Sequence, residues 1–478
     1  MKVEGDLIWG DESQVFAEAH SEDLSLIFRF VRDEEYYNGR SLQNRIVNSY
    51  NEFEAYSVGG ETFDDRPQYR KALYSSIRRV WPKCTLHPSI SASDVVVEIY
   101  EDKKYREQWR ICHEGTYKAY MESLLPMDSL FVGIEAKPKV YESVDYSSLI
   151  QVRHLGGRGN AAVVRRSVSS DELYLFKGVN FGVFLESPWD FSRQMVVCYN
   201  EIRTICSLPK HPNIIPPPSV FVTDRKVEDK TKAFVCGTLY PFAGHGSLED
   251  QIKKSKKESK NERKNKSKEK SKCEESESTG TRLTLMDKAV WCYQMALAIS
   301  YTHFKTHTFH RGITPGNFIL DDNKDLILID WEQNEVPPYA LAPEADGSWN
   351  VEESRTASSP DEGAVLIEPK LIYTKNERSL EWNVFPIWRE HCPRAVEAAE
   401  VFSLGRCMLM LLLEKTQSDV KHRGNGDYSW DDCSPYDKAD EIPKDWKAVV
   451  DRCLKRDANK RIRLSELVEF WEKAKSEK

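Results

Sequence analysis

The stretch FHRGITPGNFILDDNKDLILIDWEQ (309–333) holds two residues, Asn317 and Asp330, whose types and spacing suit a metal ion, preceded by His310 and Arg311. FIL and LILI are short apolar runs around the polar turn DDNKD, so the chain doubles back as a hairpin between Asn317 and Asp330. An amide oxygen and a carboxylate oxygen at the two ends of one hairpin offer hard ligands to a cation such as Mg²⁺. Further upstream, Lys177 lies in the strand-like run ELYLFKGV (172–179). Glu201 lies in a helical run that puts Tyr199, Ile202 and Cys206 on one face. A Gly-rich turn, LGGRGNAAVV (155–164), precedes Lys177, with Gly157 and Gly159 where backbone N–H groups can approach phosphates. Singly, these are a tight hairpin, a solvated lysine and a helix-surface carboxylate. Their order along the chain is what points to phosphate chemistry.

These residues need elements to position them. The Glu201 helix runs into HPNI, which reads as the link back to a sheet. AFVCGTLYPFAGHGSLEDQI (233–252) reads as a strand, a Gly-containing hinge and a helix start. A long helix follows, with Leu285, Ala289, Cys292, Ala296 and Ile299 on one stripe and an approximate capping box at Thr284 and Asp287. From about residue 146 the outline is therefore a β-rich half followed by a helical half. Upstream, LSLIFRFVR (24–32) and DVVVEIY (94–100) read as strands and YRKALYSSIRRVW (69–81) as a helix. Residues 1–140 are expected to form a separate N-terminal α+β region, to which no motif assigns a role.

The 478 residues carry a formal net charge of −8, with 40% hydrophobic residues, which excludes a wholly disordered chain. Residues 253–272 stand apart, with ten Lys and one Arg against three Glu and no apolar side chain. A disordered basic insert over 253–280 is expected, because nothing there can bury itself. It is a solvated loop, or an import signal or anchor for an anionic partner. RTASSPDEG (355–363) holds a Ser359-Pro360 pair that suits phosphorylation. The 11 cysteines are scattered without a CxxC pair, so reduced thiols in an intracellular protein, cytoplasmic or nuclear, are expected. The apolar run from Cys407 to Leu413 is far shorter than the ~20 residues of a membrane helix. The acidic start MKVEGDLIWGDESQ has no apolar signal core, so neither membrane insertion nor secretion is expected.

In this order, the segments from Tyr146 to Lys475 resemble the eukaryotic protein kinase fold, in a fungal Ser/Thr-kinase-like group. The resemblance implies a bilobal α+β fold with a β-rich N-lobe and a helical C-lobe, spanning 146–475. It also implies roles. Gly157 and Gly159 match the loop over ATP, Lys177 the strand lysine and Glu201 its helix partner. Val164, Leu175 and Ile319 then line the nucleotide pocket. His310 and Arg311 match the start of the catalytic loop, and Asn317 and Asp330 its Mg²⁺ ligands. AEVFSLGRCMLML (399–411) looks like the central helix of the large lobe. Arg461 fits the family's buried arginine, and Ala342-Pro343-Glu344 fits the end of an activation segment, with Glu344 lying 56 positions before Glu400.

The departures bear on activity. Gly312 stands where the family has its catalytic Asp, and Thr314 where a Lys would contact the γ-phosphate. Trp331-Glu332 replace Phe-Gly, Leu175 replaces a small Ala over the adenine, and Glu400 replaces the Asp of the central helix. The expectation is a protein that binds ATP and Mg²⁺ and transfers phosphate to protein Ser/Thr weakly, or serves as a pseudokinase scaffold for a protein partner. The alternatives are an active kinase with an unconventional base and a small-molecule phosphotransferase of the aminoglycoside or choline kinase type. Nucleic acid is not expected as a partner, although the basic insert could contact anionic ones.

Overall fold

The computed structural model describes residues 8–10, 14–20, 25–32, 41–57, 68–85, 96–102, 106–112, 116–132, 141–156, 161–167, 171–186, 190–225, 233–268, 283–333, 336, 340–346, 349–357, 365–373, 383–416, 419 and 441–476. Gly157, Gly159 and the Ser359-Pro360 pair lie outside them. The class is α+β, with several sheets. The chain divides into two compact units. The first ends at Arg203 and takes in Pro218–Phe242; the second takes Thr204–Pro217 and the chain from Ala243 onward.

The first unit begins with β1 (Ile8–Gly10), β2 (Gln14–His20), β3 (Ser25–Val31), α1 (Leu42–Ser57), α2 (Gln68–Cys84), β4 (Val96–Glu101) and β5 (Glu107–Cys112). The strands pair in chain order, and only β3 and β4 run parallel. The two helices between them supply the long crossover that a parallel pair needs. Alternate residues of the strands, Val15, Ala17 and Ala19 with Leu26, Phe28 and Phe30, are buried against Ile46, Val47, Leu73 and Ile77 of the helices. The strand period of two meets the helix period of 3.6 there in one core.

A second sheet follows in the same unit. Its elements are α3 (Thr116–Ser123), β6 (Leu125–Pro126), α4 (Met127–Leu130), β7 (Glu142–Asp145), β8 (Ile150–Gly156), β9 (Ala161–Arg165), β10 (Tyr174–Gly178), α5 (Phe181–Glu186), α6 (Phe191–Ser207), β11 (Val220–Arg225) and β12 (Ala233–Pro241). The order is β7-β11-β12-β10-β9-β8, with β6 on β12. Residues 116–131 thus belong to this sheet's framework, although they fall before the boundary expected near residue 140. Their elements are too short to show a period in sequence.

The second unit holds α7 (Leu248–Lys268), α8 (Leu285–Phe304), the hairpin β13 (Phe318–Leu320) and β14 (Leu326–Leu328), the hairpin β15 (Trp349–Ala357) and β16 (Val365–Tyr373), α9 (Phe385–His391), α10 (Pro393–Leu413), α11 (Lys444–Cys453) and α12 (Leu464–Ser476). α10 is buried from Ala395 through Leu413, the polar Glu397, Glu400, Ser403 and Arg406 included. The Thr284 hydroxyl and the Asp287 carboxylate cap α8 reciprocally, as its sequence implies. Among the described residues no helix is long and apolar enough to cross a membrane.

The basic insert departs from expectation. Its first part is helical, because α7 continues through 253–268. The helix starts on a reciprocal cap, Ser247 with Asp250, and buries Leu248 and Ile252. Ser255 is fully buried and donates to Glu414 Oε2 at 2.9 Å, and Lys256 pairs with Asp419 at 2.6 Å. Polar docking does there what apolar burial does elsewhere. Lys, Glu and Arg then propagate the helix at little cost. The rest of the insert, 269–280, lies outside the described residues.

Candidate functional site

In the first unit, β10 lies between β9 and β12. Lys177 sits opposite Thr238 on it, and Glu201 comes from α6. The Lys177 ammonium lies 2.8 Å from each Glu201 carboxylate oxygen, and the side chains are 17% and 8% exposed. Such a shielded pair is held by charge and by hydrogen bonding together. Beside it the backbones crowd. A Cβ on Gly178 would lie 2.3 Å from the Cys236 carbonyl oxygen, and one on Gly237 would lie 2.6 Å from that of Lys177. Only glycine fits at either position.

The β9–β10 register fixes which residues of these strands share a face. Leu175 pairs with Val163, and Tyr174 with Val164. Directly opposed residues share a face and neighbours alternate, so Val163 shares the face of Leu175 and Lys177, and Val164 points to the other side. Val164 was the expected pocket residue. A shift of one residue in counting from a Gly-rich turn reverses the face, and the Gly157–Gly159 turn gives no fixed starting point.

In the second unit, the residues from Phe309 to Gln333 close on Glu400 of α10. Glu400 is 1% exposed. Its Oε1 accepts the backbone N–H groups of His310 at 2.8 Å and Arg311 at 2.5 Å, and its Oε2 lies 2.7 Å from His303 Nε2. The loop is therefore tied by its backbone to the buried central helix. His310 Nε2 bonds the Ile329 carbonyl at 2.8 Å, and its ring meets Trp331 edge-on at 4.8 Å. Burial pulls the Arg311 guanidinium down to about 10, which leaves it charged at neutral pH.

Arg311 and Asp330 both have left-handed backbones, φ 68° and 70°. For residues with a Cβ this costs on the order of 1–3 kcal/mol each, and such strain concentrates at functional sites. The β13–β14 register pairs Phe318 with Leu328, and the Ile329 N–H donates to the Asn317 carbonyl at 2.9 Å. Asn317 and Asp330 thus sit at the same open end of the hairpin. The Asn317 amide donates to the Gly312 carbonyl at 2.8 Å, which turns Oδ1 the other way. An amide oxygen and a carboxylate are hard donors, of the kind that could hold a divalent cation. Ile319 pairs with Ile327 across the hairpin, on the less buried face.

No protein-family model and no curated protein matches this chain. The assignment of the site therefore rests on its geometry.

Geometry also ties in Glu344, which lies 56 positions before Glu400 in the chain. Arg461, with no exposed side-chain surface, forms a two-pronged ion pair with Glu344, 2.9 Å on one prong. Its remaining donors reach the carbonyls of Ala398 at 3.0 Å and Lys455 at 2.7 Å. The guanidinium lies 4.8 Å over the Phe402 ring. Between Glu344 and Glu400 run the β15–β16 hairpin and α9. Sequence reasoning missed Val163 and His303. It treated Glu400 only as a departure, although the longer carboxylate reaches both backbone N–H groups.

Proposed function

We propose that residues 146–475 form a bilobal protein kinase-like module, in which the second sheet from β8 onward and α6 are the β-rich lobe and the second unit is the helical one. It binds ATP with Mg²⁺ and transfers phosphate weakly or not at all, as a pseudokinase. The Lys177–Glu201 pair carries this reading. Protein kinases need a strand lysine paired with a helix glutamate to hold ATP phosphates. Here the two residues come from β10 and α6, 24 positions apart, and meet at 2.8 Å. The Glu344–Arg461 pair and the Glu400 tether support the protein kinase type over the small-molecule type.

Lys177 would orient the phosphates, and Asn317 and Asp330 would hold the metal. Bound Mg²⁺ would neutralise developing phosphate charge. The chain lacks a group at Gly312 to take the proton of a substrate hydroxyl. General base catalysis is worth about 10²–10⁴-fold, or about 2.7–5.4 kcal/mol of barrier. Thr314 also supplies no positive charge near the γ-phosphate.

Restoring both groups tests this. A Cβ on Gly312 would lie 3.3 Å from Asn317 Nδ2 and 3.6 Å from the His310 ring, so small side-chain shifts admit a larger residue. Gly312→Asp with Thr314→Lys is expected to raise autophosphorylation at least tenfold and to change ATP affinity little. A wild-type turnover already in the ordinary kinase range of about 1–100 s⁻¹ would refute the pseudokinase reading.

A further inference from the structure

We propose that residues 116–131 clamp α6 in the position that pairs Glu201 with Lys177, and that Tyr199 and Arg203 are the positioning residues. The clamp's consequence for nucleotide rests on the function proposed above; the clamp itself does not.

Three contacts run along α6. At its start, Tyr120 of α3 packs edge-on against Phe191 at 5.5 Å, while Tyr117 meets Phe181 of α5 at 5.2 Å. Two turns on, the Tyr199 hydroxyl accepts the Leu125 N–H at 2.8 Å and donates to the Val235 carbonyl at 2.8 Å. Leu125 and Val235 are themselves register partners between β6 and β12. One hydroxyl thus joins the clamp, the helix and the sheet. One further turn on, Arg203 Nε donates to the Leu130 carbonyl at 2.9 Å.

Tyr199 and Arg203 fall on one stripe, four residues apart, and Phe191 lies about 80° around the helix from Tyr199. Glu201 is two residues from Tyr199 and Arg203, so it is turned by about 200° around the helix from each. At Tyr199 and Arg203 the helix is therefore gripped on the side opposite Glu201. β12, which receives the Tyr199 bond, is the strand beside Lys177. The hydroxyl thus refers the helix to the same strand that positions the lysine. Residues 113–115 alone separate this clamp from β5 of the N-terminal sheet.

Zero-length carbodiimide coupling of the full-length protein reads the pair directly. The reagent activates Glu201, and the Lys177 amine displaces it as a urea to leave an amide that mass spectrometry quantifies. Wild type is expected to give the Lys177–Glu201 crosslink. Tyr199→Phe with Arg203→Leu should lower its yield at least fivefold in protein that keeps its far-ultraviolet circular dichroism. Arg203→Lys, which keeps a donor for Leu130, should retain most of it. If the double variant fails to fold, Tyr199→Phe alone, which keeps the ring packing, decides the matter by the same yield. An unchanged yield in the folded variant, or no crosslink in wild type, overturns the clamp. If the yield falls but wild type shows no melting shift with ATP and Mg²⁺, the clamp stands and the nucleotide reading fails.

Discussion

Glu344 and Arg461 are separated by 117 positions in the chain and meet as a buried ion pair, with side-chain exposures of 5% and 0%. The pair joins the Ala342-Pro343-Glu344 turn to the loop before α12. Such a pair adds little against an apolar replacement of both partners, but removing one strands the other charge. Arg461→Met is therefore expected to cost about 3–5 kcal/mol. Urea unfolding followed by tryptophan fluorescence measures this. A loss below about 1 kcal/mol, the scale of exposed pairs, would mean that Glu344 is solvated.

Packing of α10 on α11 gives a second test. A Cβ on Gly405 would lie 2.4 Å from the Cys453 Cβ, whereas one on Gly244 meets nothing within 4 Å. Gly405→Ala should destabilise by about 1–3 kcal/mol through overpacking. Gly244→Ala should leave the melting temperature unchanged or slightly raised. Equal effects of the two would contradict the close approach of these helices.

The third concerns pH. His211 is half-buried beside Tyr301, with ring centroids 4.6 Å apart, and its Nδ1 accepts the Asn213 N–H at 3.1 Å. Burial lowers its pKa from the ordinary value of 6.5. The unfolded chain therefore takes up a proton at higher pH than the folded one. The stability contributed by neutral His211 is present above pH 6.5 and is lost as pH falls through that value toward the folded pKa. His211→Gln should flatten the slope of stability against pH below about 6.5. An identical slope in the variant would assign the acid sensitivity elsewhere.

The long periodic elements were readable from sequence. α8 shows its stripe from Ala289 to Ile299 and its cap at Thr284. α2 was legible from Tyr69 to Trp81, and β10 from the apolar run around Lys177. Pairing of Lys177 with Glu201 was implied by the resemblance to protein kinases, since nothing in the sequence around either residue names its partner. Three features were not readable. α3, β6 and α4 are too short for a period to emerge, so the clamp on α6 stayed hidden. α7 docks through Ser255 and Lys256, and a search for apolar residues passes over them. The face of Val163 depends on strand register, and the glycines before it leave that open by one residue.

Nucleotide binding is the central claim, and a melting titration of the full-length protein with ATP and Mg²⁺ tests it most directly. Saturation to a hundred times the dissociation constant stabilises by about 2.7 kcal/mol, roughly 4 °C in melting temperature for a domain of some 330 residues. The account predicts a shift of that order that shrinks when Mg²⁺ is removed and when Lys177→Met or Asp330→Asn is introduced. No shift at several millimolar ATP with Mg²⁺, or a shift indifferent to both substitutions, would contradict it.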